Sequence, residues 1–287
     1  MMTAWFCWLL LQAAPLKTPL GKPMTPEEDK EGIVEKARTE AAAKPDDPEK
    51  LLALGAALDK LWRYGESIEV YSKGAKQFPS DFRFLRFRGH RYISTRQFGK
   101  ATDDLEHARK LAPQSYDVTY HLALAYFLRG QYDKASAEYA RCMDQTEGAA
   151  LPGNAKSCAD LRGDPEQRIA ITEWRYRALR RAKKDDEAEK LLSTVPDELE
   201  LKESRSYYEC LLLYKGMRTE KSLLEPAQNK PLDYVTMGYG VALYHQLDGS
   251  LRRACPLYRK IVDQPAWNAF GYIAAETELL RGTCKDE

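Results

Sequence analysis

The chain has 287 residues, 44% of them hydrophobic, and its 44 Lys and Arg nearly balance 43 Asp and Glu, for a formal net charge of +1. A chain of this length and composition buries a sizeable core, which excludes wholesale disorder. The charge balance excludes a global field toward nucleic acid or an anionic membrane, so any basic site is local.

The opening stretch, "MMTAWFCWLLLQAAPLK", holds an uncharged apolar run from Ala4 to Leu11 followed by small residues at Ala13 and Ala14. This is the outline of a secretory signal peptide, although the first basic side chain is Lys17 and the usual positive start is missing. The run is too short to span a bilayer, and no lipoprotein pattern surrounds Cys7. Residues 1–24 therefore read as a signal segment and linker, which predicts an exported protein, periplasmic or secreted; a cytoplasmic chain with an apolar N-terminus is the alternative. Next, Thr25, Pro26 and Glu28 form a capping arrangement for a helix start, and Ile33, Ala37 and Ala41 make an apolar stripe that ends at Pro45. This helix is expected to cover the first full repeat.

From here the same residue types return every 34 positions: Pro45, Pro79 and Pro113; Tyr64, Phe98 and Tyr132; Leu58, Tyr92 and Tyr126. Small residues recur at Ser67, Ala101 and Ala135, at Gly74, Ala108 and Cys142, and at Gly55, Gly89 and Ala123, while Tyr71, Leu105 and Tyr139 supply a large partner. Within each unit these positions lie three or four apart, on one face of each of two helices, and proline ends the second helix. Small residues let the paired helices approach and large ones fill the gaps. Over residues 47–147 the pattern resembles the tetratricopeptide-repeat family, with departures at Ser67, at Arg88, and in the missing closing proline of repeat three. The resemblance implies an all-α, right-handed superhelical solenoid of helix-turn-helix repeats. "FRFLRFRGHRYISTRQ", residues 82–97, is then the first helix of repeat two, with Leu85, Gly89 and Tyr92 inward and Arg83, Arg86, His90 and Arg91 toward solvent.

The N-terminal helix and three repeats fill residues 25–147. Residues 148–167 interrupt the rhythm with a Gly- and Pro-containing loop that reads as a surface insertion, with a functional or disordered one as the alternative. Over residues 168–282 the repeats are degenerate. Trp174, Leu179, Ala188 and Leu192 mark one helix pair, a Gly216 turn centres the next, and Ala242, Gly249, Ala254 and Tyr258 restore the pattern, with Pro256 expected to kink or shorten its helix. Trp267, Phe270, Gly271 and Ala274 reproduce the first-helix spacing without a following partner, so a C-terminal capping helix with a polar outer face is predicted.

Removal of the signal segment leaves Cys142, Cys158, Cys210, Cys255 and Cys284, an odd number with no Cys-x-x-Cys pair. Cys142 reads first as a small buried residue; a Cys142–Cys158 bridge across the loop is the alternative in an oxidising compartment. "GYG" at Gly238–Gly240 lacks the third glycine and preceding strand of a dinucleotide site, and no P-loop or Gly-x-Ser-x-Gly elbow occurs. His90, His107, His121 and His245 have no metal-ligand spacing, so no metal or cofactor is expected. "RYRALRRAKK" at 175–184, followed by "DDEAE", reads as a solvated face. Repeats one and three do not extend a basic stripe, so no nucleic acid is expected.

The family resemblance implies that the first helices line a concave groove for a peptide or partner segment. By repeat position its exposed residues would be Arg83, Arg86 and His90 from repeat two, and Tyr120, His121 and Leu124 from repeat three, a mixture suited to a somewhat acidic segment. Where chaperone-tail-binding members carry Lys and Asn, this chain has Leu52, Ala56 and Phe87, which speaks against that ligand. A non-catalytic protein-interaction scaffold is the expectation. The rivals are an enzyme with its site on the loop or the degenerate half, and a nucleic-acid-binding helical repeat.

Overall fold

A computed structural model describes residues 16–148 and 150–285; the apolar run of the expected signal segment lies outside them. Among the described residues the chain forms fourteen α-helices and no strand beyond two isolated bridges, an all-α solenoid. None of these helices is long and apolar enough to cross a membrane. After α1 (Ile33–Ala43) come six helical hairpins: α2/α3 (Pro48–Lys60, Tyr64–Gln77), α4/α5 (Phe82–Ser94, Phe98–Leu111), α6/α7 (Tyr116–Leu128, Tyr132–Met143), α8/α9 (Pro165–Arg181, Asp185–Ser193), α10/α11 (Arg205–Tyr214, Glu220–Ala227) and α12/α13 (Pro231–Leu247, Leu251–Val262). Helix α14 (Phe270–Leu280) ends the array.

The six hairpins share one turn. Trp62, Arg96, Gly130, Lys183, Gly216 and Gly249 all have positive φ, and the next amide in each case donates to the carbonyl five residues back. Those bonds, from Arg63 to Leu58, Gln97 to Tyr92, Gln131 to Tyr126, Lys184 to Leu179, Met217 to Leu212 and Ser250 to His245, span 2.8–3.0 Å. This is a left-handed helix stop that satisfies otherwise orphaned carbonyls. The second half is therefore built on the same unit as the first. Helix starts also repeat: Asp47, Asp81 and Ser115 accept from backbone amides of α2, α4 and α6. Residues 47–147 form three helical hairpins whose packing columns are those the sequence pattern led one to expect. A Cβ on Gly55 would sit 2.2 Å from Tyr71, and one on Gly89 2.6 Å from Leu105, so this column holds small residues because paired helices touch there.

Several expectations need correction. Helix α1 starts at Ile33, not near Thr25, because the Asp29 carboxylate accepts the amides of Ile33 (2.9 Å) and Val34 (3.0 Å). Helix α13 runs through Pro256 to Val262. The loop after α7 is structured: two 3-10 turns (Pro152–Asn154 and Cys158–Arg162) and backbone bonds from Tyr116 to Lys156 (3.0 Å) and from Cys158 to Gln114 (2.7 Å) hold it against α6. A Cys142–Cys158 disulfide fastens its far end, so Cys142 is both buried and bridged. A second disulfide, Cys255–Cys284, ties the chain after α14 to α13, and no spacing in the sequence pointed to it. Cys210 is free and buried.

Helix α14 packs on α12 and α13, with Gly271 so close to Val235 that an added Cβ would lie 2.3 Å from its carbonyl oxygen. Its other face is not the polar, wet one expected of a terminal helix, since Gly271 to Glu278 are all buried. That side meets the first half of the chain.

The shared turn makes a stability test. Lys183 is exposed and pays left-handed strain that Gly216, at the equivalent place, does not. Lys183→Gly is expected to raise unfolding free energy by about 0.5–1 kcal/mol and Gly216→Ala to lower it by about 1 kcal/mol. Urea denaturation with an unchanged slope reads both, and destabilisation by Lys183→Gly or stabilisation by Gly216→Ala refutes the shared turn.

Candidate functional site

Two chambers lie along successive turns of α4. The front chamber, about 450 Å³, is walled by Leu52, Ala53 and Ala56 of α2, by Arg83, Arg86 and Phe87 of α4, and by Gly153 from the loop after α7. The rear chamber, about 610 Å³, lies between His90, Arg91 and Ser94 of α4, the start of α12, and the Pro265–Phe270 segment.

Of the six residues placed in the groove by repeat position, Arg83, Arg86 and His90 line the two chambers, and Tyr120, His121 and Leu124 do not stand open to solvent. Leu124 is fully buried, and Tyr120 and His121 are buried as well. Arg83 is also buried, clamped by Glu49 (2.7 Å) and Asp81 (2.7 Å). Arg86 lies over the Phe87 ring and pairs with Asp117 at 2.8 Å. His90 packs against His121 with the rings tilted and centroids 4.2 Å apart, and both imidazoles and Tyr120 lie near the Phe270 ring at 5.4–6.2 Å. Phe270, in the last segment of the chain, covers the two imidazoles and Tyr120, whereas Arg83 and Arg86 are engaged by carboxylates of the first half.

Helix α14 and the residues before it are held there by specific bonds. The Arg96 guanidinium donates to Glu276 (2.7 Å) and to the Trp267 carbonyl (2.8 Å), with both charged side chains almost fully buried. Trp267 packs edge-on against Trp62 and Tyr64, and Asn268 donates to the Tyr64 hydroxyl at 3.1 Å. Farther along, Arg281 donates to the Leu128 carbonyl (2.6 Å), and Arg181 pairs with Glu278 (3.1 Å). Trp62 and Arg96 occupy the strained turn position where three other hairpins have glycine. Their side chains are what contact the returning segment. Neither was singled out in the sequence; a bulky residue at a turn column otherwise filled by glycine is the signal that would have found them.

The run at 175–184 is not a solvated face. Arg177 is buried and paired with Glu173 one turn away, Arg180 pairs with Asp185 (2.7 Å), and Arg181 reaches across to Glu278. Among the described residues, no three His, Cys, Asp or Glu side chains gather closely enough to hold a metal ion.

No family model matches the chain. Over 101 residues it is 32% identical to "BBSome complex member BBS4" of Bos taurus, covering 35% of this chain and 19% of that protein, so the chain spans about a fifth of that relative's length. Among solved structures it is similar to "Crystal structure of YrrB: a TPR protein with an unusual peptide-binding site", with 13% identity, 84% of this chain and 98% of that one covered, and a TM-score of 0.44. It is also similar to "Structure of Naa15/Naa10 bound to HypK-THB", at 17% identity over 86% of this chain and 36% of that one, with a TM-score of 0.39. The repeat assignment rests on the six equivalent turns within this chain.

Burial holds the His121 imidazole neutral, its pKa lowered to about 3, and Arg86 and Arg91 oppose protonation further while Asp117 favours it. Burial lowers His90 too, with Arg91, His121 and Arg86 acting in the same direction. The unfolded chain takes up protons below about pH 6.5 that the folded chain refuses, so stability falls with acidification, by up to about 1.4 kcal/mol per pH unit for each imidazole. Melting temperatures followed from about pH 7 to about pH 5 are expected to fall more steeply for the wild type than for His90→Gln/His121→Gln; parallel curves refute a neutral pair.

Proposed function

We propose that this protein is a non-catalytic scaffold that binds an extended segment of a partner protein in the front chamber, and that it works outside the cytoplasm. The observation that carries the binding mode is the state of the charges around that chamber. Arg83 and Arg86 are each already matched, by Glu49 and Asp81 and by Asp117. The exposed remainder is small and apolar: Ala53 and Ala56 stand on the open side of α2, next to the half-buried Phe87 ring. A partner therefore gains little from acidic residues, which corrects the expectation drawn from the arginines alone. It gains from apolar side chains that cover Ala53, Ala56 and Phe87, with matched ion pairs at the rim fixing register.

Selection from a displayed random-peptide library tests this. The wild type is expected to enrich apolar segments, and Ala53→Glu/Ala56→Glu, which alters only exposed positions of α2, is expected to weaken the selected peptides at least tenfold. Leu111→Glu, on exposed surface away from the chamber, serves as the control. Equal binding by wild type and double variant overturns the front-chamber assignment.

The exported setting draws on the signal-like start and on two disulfides that use four of the five cysteines after residue 24, since such bonds persist in oxidising compartments. Protein purified from its native source should begin after the apolar run and, denatured without reductant, titrate a single thiol, that of Cys210. Retention of the run, or five titratable thiols, rules the export reading out.

A further inference from the structure

Five arginines stand in residues 82–97, and four of them reach a carboxylate within hydrogen-bond distance, although the buried Nε of Arg86 has no partner of its own. Arg83 has Glu49 and Asp81, Arg86 has Asp117, Arg88 grips Asp104 through two bonds of 2.6 and 2.7 Å, and Arg96 has Glu276. Arg91 is the exception. Its side chain is only 9% exposed, its guanidinium lies 4.4 Å over the Tyr64 ring, and its buried Nε has no hydrogen-bond partner among the described residues. The Asp59 carboxylate approaches Nε no closer than 3.6 Å, with its other oxygen taken by the Tyr71 hydroxyl at 2.8 Å.

Arg91 forms part of the wall of the rear chamber, whose lining contains no Asp or Glu. The remaining wall is largely aromatic and apolar, including Trp62, Tyr64, Tyr207, Leu232 and Phe270, with the Asn268 amide as a further polar group. An apolar cavity of about 610 Å³ with few polar groups has the size and make-up of a small-ligand site. A nine-tenths buried guanidinium with an unmet Nε donor favours an acceptor nearby, because such groups are costly to leave unpaired.

We infer that the rear chamber binds an organic monocarboxylate with an aromatic or branched apolar body. Its carboxylate bonds to Arg91, and its body fills the cage of Trp62, Tyr64, Tyr207 and Phe270. A planar guanidinium suits a carboxylate in two parallel bonds. The carboxylate belongs either to a free acid or to the C-terminus of a peptide ending in an apolar residue. This site is separate from the front chamber, so its failure leaves the scaffold reading untouched.

Calorimetry on the full chain, with phenylpropionate and phenylpropionamide, and with a short peptide ending in Phe as free carboxylate and as amide, separates these sources. At least one acid is expected to bind ten times more tightly than its amide. Free-acid binding alone assigns a small metabolite-like ligand, and peptide binding alone assigns a C-terminus. Arg91→Gln should bring the acid-to-amide ratio close to one without loss of amide binding, Arg91→Lys should keep part of it, and Ala266→Trp, which fills the chamber, should abolish both. No binding by either acid, or equal binding of acid and amide by the wild type, overturns the proposal without recourse to any variant.

Discussion

The Arg96–Glu276 ion pair ties the second hairpin of the array to its last helix, and much of the concave face depends on it. Helical hairpins bury an apolar flank only by stacking on a neighbour, so a solenoid ends with one flank uncovered. Here α14 solves the problem at its own end by lying against α12 and α13, yet its opposite side still carries Glu276 and Glu278. Those carboxylates are tolerable inside only because guanidiniums meet them: Arg96 for Glu276, and Arg181 and Arg281 for Glu278. A buried pair adds little net stability over an apolar contact, but loss of one partner strands the other at a cost of roughly 3–5 kcal/mol. The pair therefore acts chiefly as a register pin, which fixes where the returning segment sits along the superhelix.

The pin has its own backbone cost. Arg96 holds a left-handed conformation that favours glycine, and so does Trp62 one repeat earlier. Glycine at either turn would relieve strain, as Gly130, Gly216 and Gly249 do elsewhere, but would remove the groups that engage Trp267 and Glu276. Local strain is retained where a distant contact repays it. In the same way the neutral His90–His121 pair makes sense only with Phe270 covering it, since both rings would otherwise meet water in an open groove.

Much of the first half was legible in the sequence because its columns recur at a fixed interval and report contacts between near neighbours. Gly55 and Gly89 read as packing positions, and packing positions they are. The second half was less legible for local reasons. Lys183 stands where glycine would have marked the turn, and its hairpin is displaced by the structured loop that precedes it. The groove was least legible of all. Arg83, Arg86 and His90 line chambers along α4, but His121 is covered by Phe270, about 150 positions later in the chain, and periodicity carries no information on that. The Cys255–Cys284 bridge was hidden likewise, since it depends on how α14 returns past α13.

The arginine-rich stretch in α4 shows how far charge pattern alone misleads. Five guanidiniums within residues 82–97 look like a surface patch, yet their counter-charges come from α2, α5, α6, α14 and the cap of α4 itself. A surface patch attracts any polyanion, with an affinity that salt erodes. Guanidiniums fixed one by one between helices attract none, because each field is closed over a few ångströms by its own carboxylate. Helix α4 thus supplies the array with directional cross-links rather than with a basic surface, and Arg91, whose carboxylate neighbour Asp59 stands at 3.6 Å without a hydrogen bond, also lines an apolar chamber.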